Sequence, residues 1–288
     1  SYYDPAQATP GFHVEEKQEP TLYAGWHHEW SPGSHTLLLV GRLYDKLALL
    51  NPDEKILFLL TGSPMTVLSG PLPRPPTGQG PVMLDFLSDF TLYSTELQHI
   101  FETPRHTLVV GGRWQSGDVI THSVMTDFFL NVPQTVIDQR VSGPLERGNV
   151  YAYGSWQAFD SLRLIAGASY DHVTFPNNVD LPPLSTGESS RDLLSPKAGL
   201  VFEPWKGGLL RASYTKSLGG LYFDNSVRIE PTQVAGFNQA FRSLIPESVA
   251  GLVPGTAFET AGVGFNQSLP SGTWFGAEAE QLNSNGER

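Results

Sequence analysis

The sequence predicts an all-β fold: an antiparallel, up-and-down segment of a transmembrane β-barrel, about ten strands in all, with short periplasmic turns and long outer loops. Three observations carry this reading. The first is period-two alternation, clearest over residues 150–172. There Leu162, Leu164, Ala166, Ala168 and Tyr170 fall on one face of a strand, and Arg163, Ile165, Gly167, Ser169 and Asp171 on the other. The second is arm length: each arm runs to about ten residues, which is what a tilted strand needs to cross a bilayer and more than most water-soluble hairpins use. The third is that tight and long connections alternate along the chain, as in outer-membrane barrels.

Taken in order, residues 1–20 read as the polar, turn-rich tail of a loop. The first hairpin pairs 21–30 with 35–44 across Ser31-Pro32-Gly33-Ser34; Leu37, Leu39 and Leu43 alternate there with Thr36, Leu38 and Arg42. Residues 45–88, with Pro71, Pro73, Pro75 and Pro76, read as a long connection of the kind that is either functional or disordered. The second hairpin pairs 90–100 with 105–115 around Glu102-Thr103-Pro104, and 116–148 reads as the next loop. The central hairpin turns at Asp160-Ser161. It carries Tyr151, Trp156, Phe159 and Tyr170 where a membrane barrel keeps its interfacial aromatics. After a loop over 173–194, the fourth hairpin pairs 196–203 with 209–216 across Pro204-Trp205-Lys206-Gly207-Gly208. Within the loop 217–257, the apolar spacing from Gln233 to Leu244 predicts a short amphipathic helix. A fifth hairpin pairs 258–267 with 273–281. Residues 1–288 thus read as one domain, an internal piece of a larger barrel, with Arg288 where the next outer loop would begin.

Composition narrows the function. Charged residues make up 16% of the chain, against about 25% in an average globular protein, so charge is confined to a few places. A net charge of −11 without any Lys/Arg cluster argues against a nucleic-acid partner. With no cysteine there is no disulfide framework and no thiolate chemistry. The longest apolar run, Ile56-Leu57-Phe58-Leu59-Leu60, falls far short of the roughly 20 residues of a spanning helix. If this chain crosses a membrane, it does so with strands. The start, Ser-Tyr-Tyr-Asp-Pro-Ala, lacks the basic and apolar regions of a signal peptide, so the chain reads as mature or cut from a longer one.

Two stretches carry a family likeness. The central hairpin, an aromatic strand ending near Trp156 and then an arm that ends in Gly167-Ala168-Ser169-Tyr170-Asp171, resembles a barrel-strand pair of TonB-dependent receptors. Leu194-Ser195-Pro196-Lys197-Ala198-Gly199-Leu200-Val201-Phe202-Glu203-Pro204, followed by Leu210-Arg211-Ala212-Ser213-Tyr214-Thr215-Lys216-Ser217, resembles the same family's Ser-Pro-Lys hairpin leading into Arg-Ala-Ser-Tyr. The resemblance covers about half the chain. It implies a partial barrel in the bacterial outer membrane, a receptor that takes up or binds a small solute, and contact with outer-membrane lipid and lipopolysaccharide. It also implies a plug domain and TonB as partners through parts of the protein outside this chain. One alternative is a soluble secreted β-rich glycan-binding module, which would bury Leu164, Ala166, Leu210 and Ala212; another is the barrel of a helical-repeat envelope protein.

No constellation points to catalysis, a metal or a cofactor. In His27-His28-Glu29-Trp30 the two histidines point to opposite faces of a strand, leaving His27 and Glu29 on one side where zinc needs three or four ligands. There is no Gly-x-Ser-x-Gly elbow, and the pairs Gly111-Gly112, Gly207-Gly208 and Gly219-Gly220 lack the lysine and helix of a phosphate loop. Arg42, Arg113, Arg163, Lys197, Glu203 and Arg211 are the expected lumen-facing charges, either paired with one another or lining a solute path. Phe237, Phe241 and Leu244 are the expected outer-loop patch, either a docking surface or a stripe that packs the loop down on the barrel rim. The acidic residues Asp180, Glu188, Asp192, Glu230, Glu247 and Glu259 fall in the outer loops, as solvated charge or as anchors for divalent ions against lipopolysaccharide.

Overall fold

The computed structural model describes residues 11–18, 21–54, 60–61, 67–68, 82–129, 132–179, 184–219, 228–239 and 255–285. The strands are β1 (His13–Lys17), β2 (Leu22–Ser31), β3 (Ser34–Glu54), β4 (Leu60–Thr61), β5 (Val67–Leu68), β6 (Val82–Glu102), β7 (His106–Phe129), β8 (Val132–Phe159), β9 (Leu162–Asn178), β10 (Ser185–Phe202), β11 (Gly208–Leu218), β12 (Gln233–Val234), β13 (Phe237–Asn238), β14 (Ala257–Ser268) and β15 (Trp274–Asn285). Eleven of them form one antiparallel sheet in the order β1-β3-β6-β7-β8-β9-β10-β11-β14-β15, with β2 also paired to β3. β2 lies along Ser34–Arg42 and β1 along Lys46–Leu50 of the same strand, so β1 extends the line of β2. The stretch read as a loop tail therefore supplies an eleventh strand. Its Val14 and His13 answer Leu49 and Leu50, a pairing invisible from five residues taken alone.

All five tight turns fall where the sequence places them. At the first, Gly33 has φ +80°, and a Cβ there would collide with the Glu102 carbonyl. Its own carbonyl accepts the Glu102 N–H at 2.6 Å, tying this turn to the next. Gly33→Ala is expected to cost more than about 1 kcal/mol, read as a lower urea midpoint, because strain and collision act together.

The long connections differ from expectation. β3 and β6 remain paired from Ser34/Phe101 as far as Glu54/Val82, and β7 and β8 from His106/Trp156 to Phe129/Val132. β9 and β10 likewise stay paired to Asn178/Ser185. Much of what reads as loop at 45–54, 82–88, 116–129, 132–148, 173–178 and 185–194 is strand, including Pro144 and Pro176.

The reason is an inversion of polarity partway up the long strands, clearest in β6 and β8. Near the tight turns of β6, Tyr93, Thr95, Leu97 and Phe101 are exposed while Glu96 and Gln98 are buried; above Tyr93 the buried set is Leu92, Phe90, Phe86, Leu84 and Val82, with Asp85 exposed. β8 switches in the same way. Val150, Ala152 and Trp156 are exposed over buried Asn149, Tyr151 and Tyr153, and higher up Ser142 and Glu146 are exposed over buried Val141 and Leu145. The upper apolar residues join Leu43, Val119, Met125, Val179 and Leu184 in one packed cluster. An oily exterior over a polar interior is the arrangement of a membrane barrel; an oily interior under a polar exterior is that of a sheet in water. The sheet carries both, stacked along its strands, and the boundary runs from Tyr93 through Trp114 to Tyr170, all exposed.

Candidate functional site on the inner wall

Parity along the strands fixes which side chains share the inner wall. Directly paired residues form a row, Glu96–Arg113–Asn149–Asp171, across β6, β7, β8 and β9. The row toward the tight turns runs Gln98–Gly111–Tyr151–Ser169, and the one toward the outer side Ser94–Gln115–Arg147–Val173. Arg147 reaches diagonally to Asp171: Nη2 and Nε donate to Oδ1 at 2.6 and 3.1 Å, and Nη2 also donates to the Leu218 carbonyl at 3.1 Å. Asn149 Nδ2 donates to the same Oδ1 at 2.9 Å. Arg113 Nε donates to Ser94 Oγ at 3.1 Å and lies 4.0 Å from Glu96 Oε2.

Onto this wall folds the segment 228–239. Glu96, wholly buried, accepts the backbone N–H groups of Ile229 at 3.0 Å and Glu230 at 2.8 Å, and the Tyr151 hydroxyl at 2.9 Å. Gln98 Nε2 donates to the Ile229 carbonyl at 2.6 Å. Tyr153 donates to Glu230 Oε1 at 2.6 Å while accepting from Gln239 Nε2 at 3.0 Å, and Glu230 also pairs with Arg228. On the other side Phe237 sits over Gly262 and Gly264, Val234 over Gly199, and the Arg211 guanidinium lies 5.0 Å from the centre of the Phe237 ring. The glycines matter because a Cβ at Gly199 would meet Val234 at 2.8 Å, and one at Gly262 would meet Phe237 at 2.5 Å.

One twelve-residue segment thus touches strands from β6 to β14. Six strand spacings of ~4.8 Å amount to ~29 Å on a flat sheet. The docked residues Ile229 and Val234 are only five positions apart, ~17 Å at full extension, and Phe237 folds back to pair with Val234, so the sheet must curl around the segment to meet it from both sides, which makes the wall concave and its interior a lumen.

The segment is a hairpin, not the expected helix. β12 and β13 pair through Val234/Phe237 and Gln233/Asn238, and Ala235 and Gly236 both take positive φ, 51° and 85°. Two successive positive φ values are the requirement of the tightest hairpin turn. Phe237 is therefore buried against the lumen wall and is not part of an exposed patch; Phe241 and Leu244 lie outside the described residues.

The expected lumen charges divide. Arg113 and Lys197 are buried on the inner wall, the latter donating from Nζ to the Lys216 carbonyl. Arg211 faces inward, ion-paired to Glu278 at 2.8 Å, and Arg163 shares that parity at the rim, donating to Gln157 at 3.0 Å. Two expectations are overturned. Arg42 pairs directly with exposed Leu22 and Tyr93, so it faces outward, its guanidinium 5.8 Å from the Tyr44 ring centre. Apolar residues on both faces of β3 had hidden the phase, and Leu43 is the inward one. Glu203 lies beyond the end of β10 in an exposed turn, its N–H donated to the Ser161 carbonyl, and so lines no lumen.

Tyr151, expected in the aromatic girdle, is buried on the wall, whereas Trp156, Phe159 and Tyr170 are exposed. Of the acidic loop residues, Glu230 is buried, Asp192 accepts from Tyr170 at 2.6 Å and lies 2.9 Å from His172, and Glu259 pairs with Lys216 at 3.1 Å. Asp180 and Glu247 lie outside the described residues, among which no group of three or more His, Asp or Glu is placed to hold a metal ion.

Sequence reading passed over Glu96, Gln98, Arg147 and Tyr153. Their one signal was parity, since each stands between outward neighbours such as Leu97 or Ala152. Removing the Glu96 carboxylate takes away two charge-assisted hydrogen bonds of the docked segment, from the Ile229 and Glu230 N–H groups, each worth about 1.5–3 kcal/mol. Glu96→Ala is expected to speed amide hydrogen exchange throughout 228–239 while leaving β9 protected; unchanged exchange would show that the segment is held by other means.

Comparison with known proteins agrees with this geometry. A model of the TonB-dependent receptor-like β-barrel family matches residues 3–269. No curated protein matches the chain. Among solved structures, the ferric citrate transporter FecA superposes with a TM-score of 0.57 at 13% identity, covering 95% of this chain and 35% of that one. The ferric-catecholate import receptor Fiu of E. coli K12 gives 0.54 at 12%, covering 96% and 42%. BauA, the ferric preacinetobactin receptor of Acinetobacter baumannii, gives 0.54 at 13%, covering 94% and 38%. At such identities these likenesses speak for the fold alone, and the chain spans well under half the length of each. With the family model reaching across nearly all of its residues, this chain belongs to the TonB-dependent receptor-like β-barrel family.

Proposed function

We propose that this chain is the central part of the barrel of an outer-membrane receptor that takes up a small solute, without catalysis. The observation that carries the reading is the stacked polarity of the strands. An apolar belt surrounds an inner wall built from Glu96, Gln98, Arg113, Arg147, Asp171 and Lys197, and above it stands a water-type sheet. A wall of paired charges and amides offers hydrogen bonds to a polar cargo while the belt faces lipid. The soluble glycan-binding alternative requires Leu164, Ala166, Leu210 and Ala212 to be buried; the first three are exposed and Ala212 is half-buried.

The solute we propose is a metal chelate, supported by the family and by the ferric cargoes named for FecA, Fiu and BauA. A plug domain and TonB enter as partners through other parts of the whole protein. The test is uptake of iron-55 citrate and of an iron-55 catecholate chelate by cells expressing the full-length protein, in a strain lacking its own receptors. Saturable uptake that stops when TonB is deleted is the expected result. Absence of uptake of both chelates, with the protein present in the outer membrane, would overturn the assignment of cargo.

A further inference from the structure

The geometry points to a copper(II) site on the inward face of the first hairpin, at its tight-turn end, with His27 Nε2 and His35 Nδ1 as its two protein ligands. Taken alone, β2 offers His27 and Glu29 on one face and His28 on the other. The return strand supplies a second imidazole. His27 pairs directly with Leu37 and Glu29 with His35, so His35 stands diagonally across from His27 on the same side of the sheet. That side is the inner one, because Leu37 pairs in turn with buried Gln98. There the two rings meet: His27 Nε2 lies 3.1 Å from His35 Nδ1, with ring centres 5.3 Å apart and planes 24° from parallel. Neither ring has a further hydrogen-bond partner among the described residues.

The separation is the bite of a chelate. Two imidazole nitrogens 3.1 Å apart, each bonded to one ion at about 2.0–2.1 Å, subtend about 95–102° at the metal. That is near the right angle between neighbouring ligands of a tetragonal ion. In the metal-free pair one ring nitrogen donates its proton to the lone pair of the other. Moving that proton to the far nitrogen of its own ring frees both lone pairs, so an ion enters between neutral rings with no proton gained or lost. The donors also choose the ion. Calcium and magnesium take oxygen ligands, and structural zinc takes four protein ligands, catalytic zinc three. Among the described residues no third His, Asp or Glu is placed to complete such a set; Glu29, opposite His35, is exposed and stays outside it. Copper(II) stands highest in the affinity order for nitrogen donors, and water can fill its remaining positions. The hairpin holds the pair in place, since the carbonyl of Gly33 in its turn accepts the Glu102 N–H and His35 is half-buried. His28 faces outward, its ring centre 5.6 Å from that of Trp26 and 4.3 Å from that of Trp30, and takes no part.

The test adds copper(II) chloride to the purified full-length protein in detergent micelles and follows binding by electron paramagnetic resonance. The variants are His27→Gln, His35→Gln and, as a control of equal composition, His28→Gln. All three positions are exposed or half-buried, and heat-modifiable gel migration reports that each variant is folded. The expected result is a copper ion whose spectrum carries nitrogen splitting from two imidazoles. It should bind roughly tenfold or more weakly after His27→Gln or His35→Gln, and as in the parent after His28→Gln. Comparison with the parent cancels copper bound elsewhere in the protein. Equal weakening in all three variants, weakening in only one of the pair, or none in any would overturn the site. Zinc chloride displacing the copper at equal concentration would overturn the choice of metal. None of these outcomes bears on solute uptake, so the function proposed above stands or falls separately.

Discussion

Asp171→Ala is expected to destabilise the barrel by about 3–5 kcal/mol, the cost of breaking a buried ion pair by removing one partner. Asp171 and Arg147 are both almost wholly buried, and one carboxylate oxygen takes two hydrogen bonds from the guanidinium and a third from Asn149. Without the carboxylate, Arg147 loses two hydrogen bonds and the opposite charge that accepts them. Unfolding of the full-length protein in detergent micelles, followed by tryptophan fluorescence in urea, should show the midpoint falling well below that of the parent. The double change Arg147→Met with Asp171→Leu should recover much of the loss, since a buried pair replaced by apolar groups of like size leaves no isolated charge. A single variant as stable as the parent would mean that bulk water reaches the pair.

A second large effect is expected on the opposite face. Ala166→Arg sets a charge in the middle of the exposed apolar belt of β9, where arginine facing lipid costs about 2–4 kcal/mol. The same substitution at Tyr170, at the upper boundary, should cost only about 0–1 kcal/mol. Ser155→Arg, of inward parity and beside the rim, should be tolerated. The three together test depth and facing: folded fraction after refolding into lipid vesicles, read by heat-modifiable gel migration, should rank Ala166→Arg far below the other two. Equal losses at all three sites would speak for a dry interior on both sides of the sheet.

How far the sequence was legible follows from these same forces. The lower halves of the strands were readable because one face is oily and the other polar, as at Leu164, Ala166 and Ala168 against Arg163, Ser169 and Asp171. Where a tight turn needs Gly33 or Gly207 at positive φ, the turn announces itself. The upper halves were not readable, because at Leu92, Val119 and Leu145 the oily phase moves from the outer to the inner face. A pattern that changes phase within one strand looks like no pattern at all.

Prolines such as Pro144 and Pro176 then completed the appearance of loops. Arg42 was misplaced for a related reason: β3 carries leucine and valine on both faces, so only the register against Tyr93 fixes its phase. The hairpin at 233–238 was hidden because Val234, Phe237 and Phe241 suit a helical stripe as well. Only the docking of the preceding Ile229 and Glu230 onto Glu96, over a hundred residues earlier in the chain, and of Val234 and Phe237 onto Gly199 and Gly262 decides otherwise.

The central claim concerns which side of the sheet meets lipid. Because this chain contains no cysteine, single cysteines introduced one at a time from Arg163 to Asp171 and spin-labelled in the reconstituted protein give a clean scan. Collision rates with oxygen, which concentrates in lipid, should alternate with period two, high at 164, 166 and 168 and low at 165 and 169, where the inner wall is packed or buried, while a water-soluble nickel chelate should reach 163 at the exposed rim. Uniformly low collision rates at 164, 166 and 168 would place those side chains in a dry protein core and contradict the account.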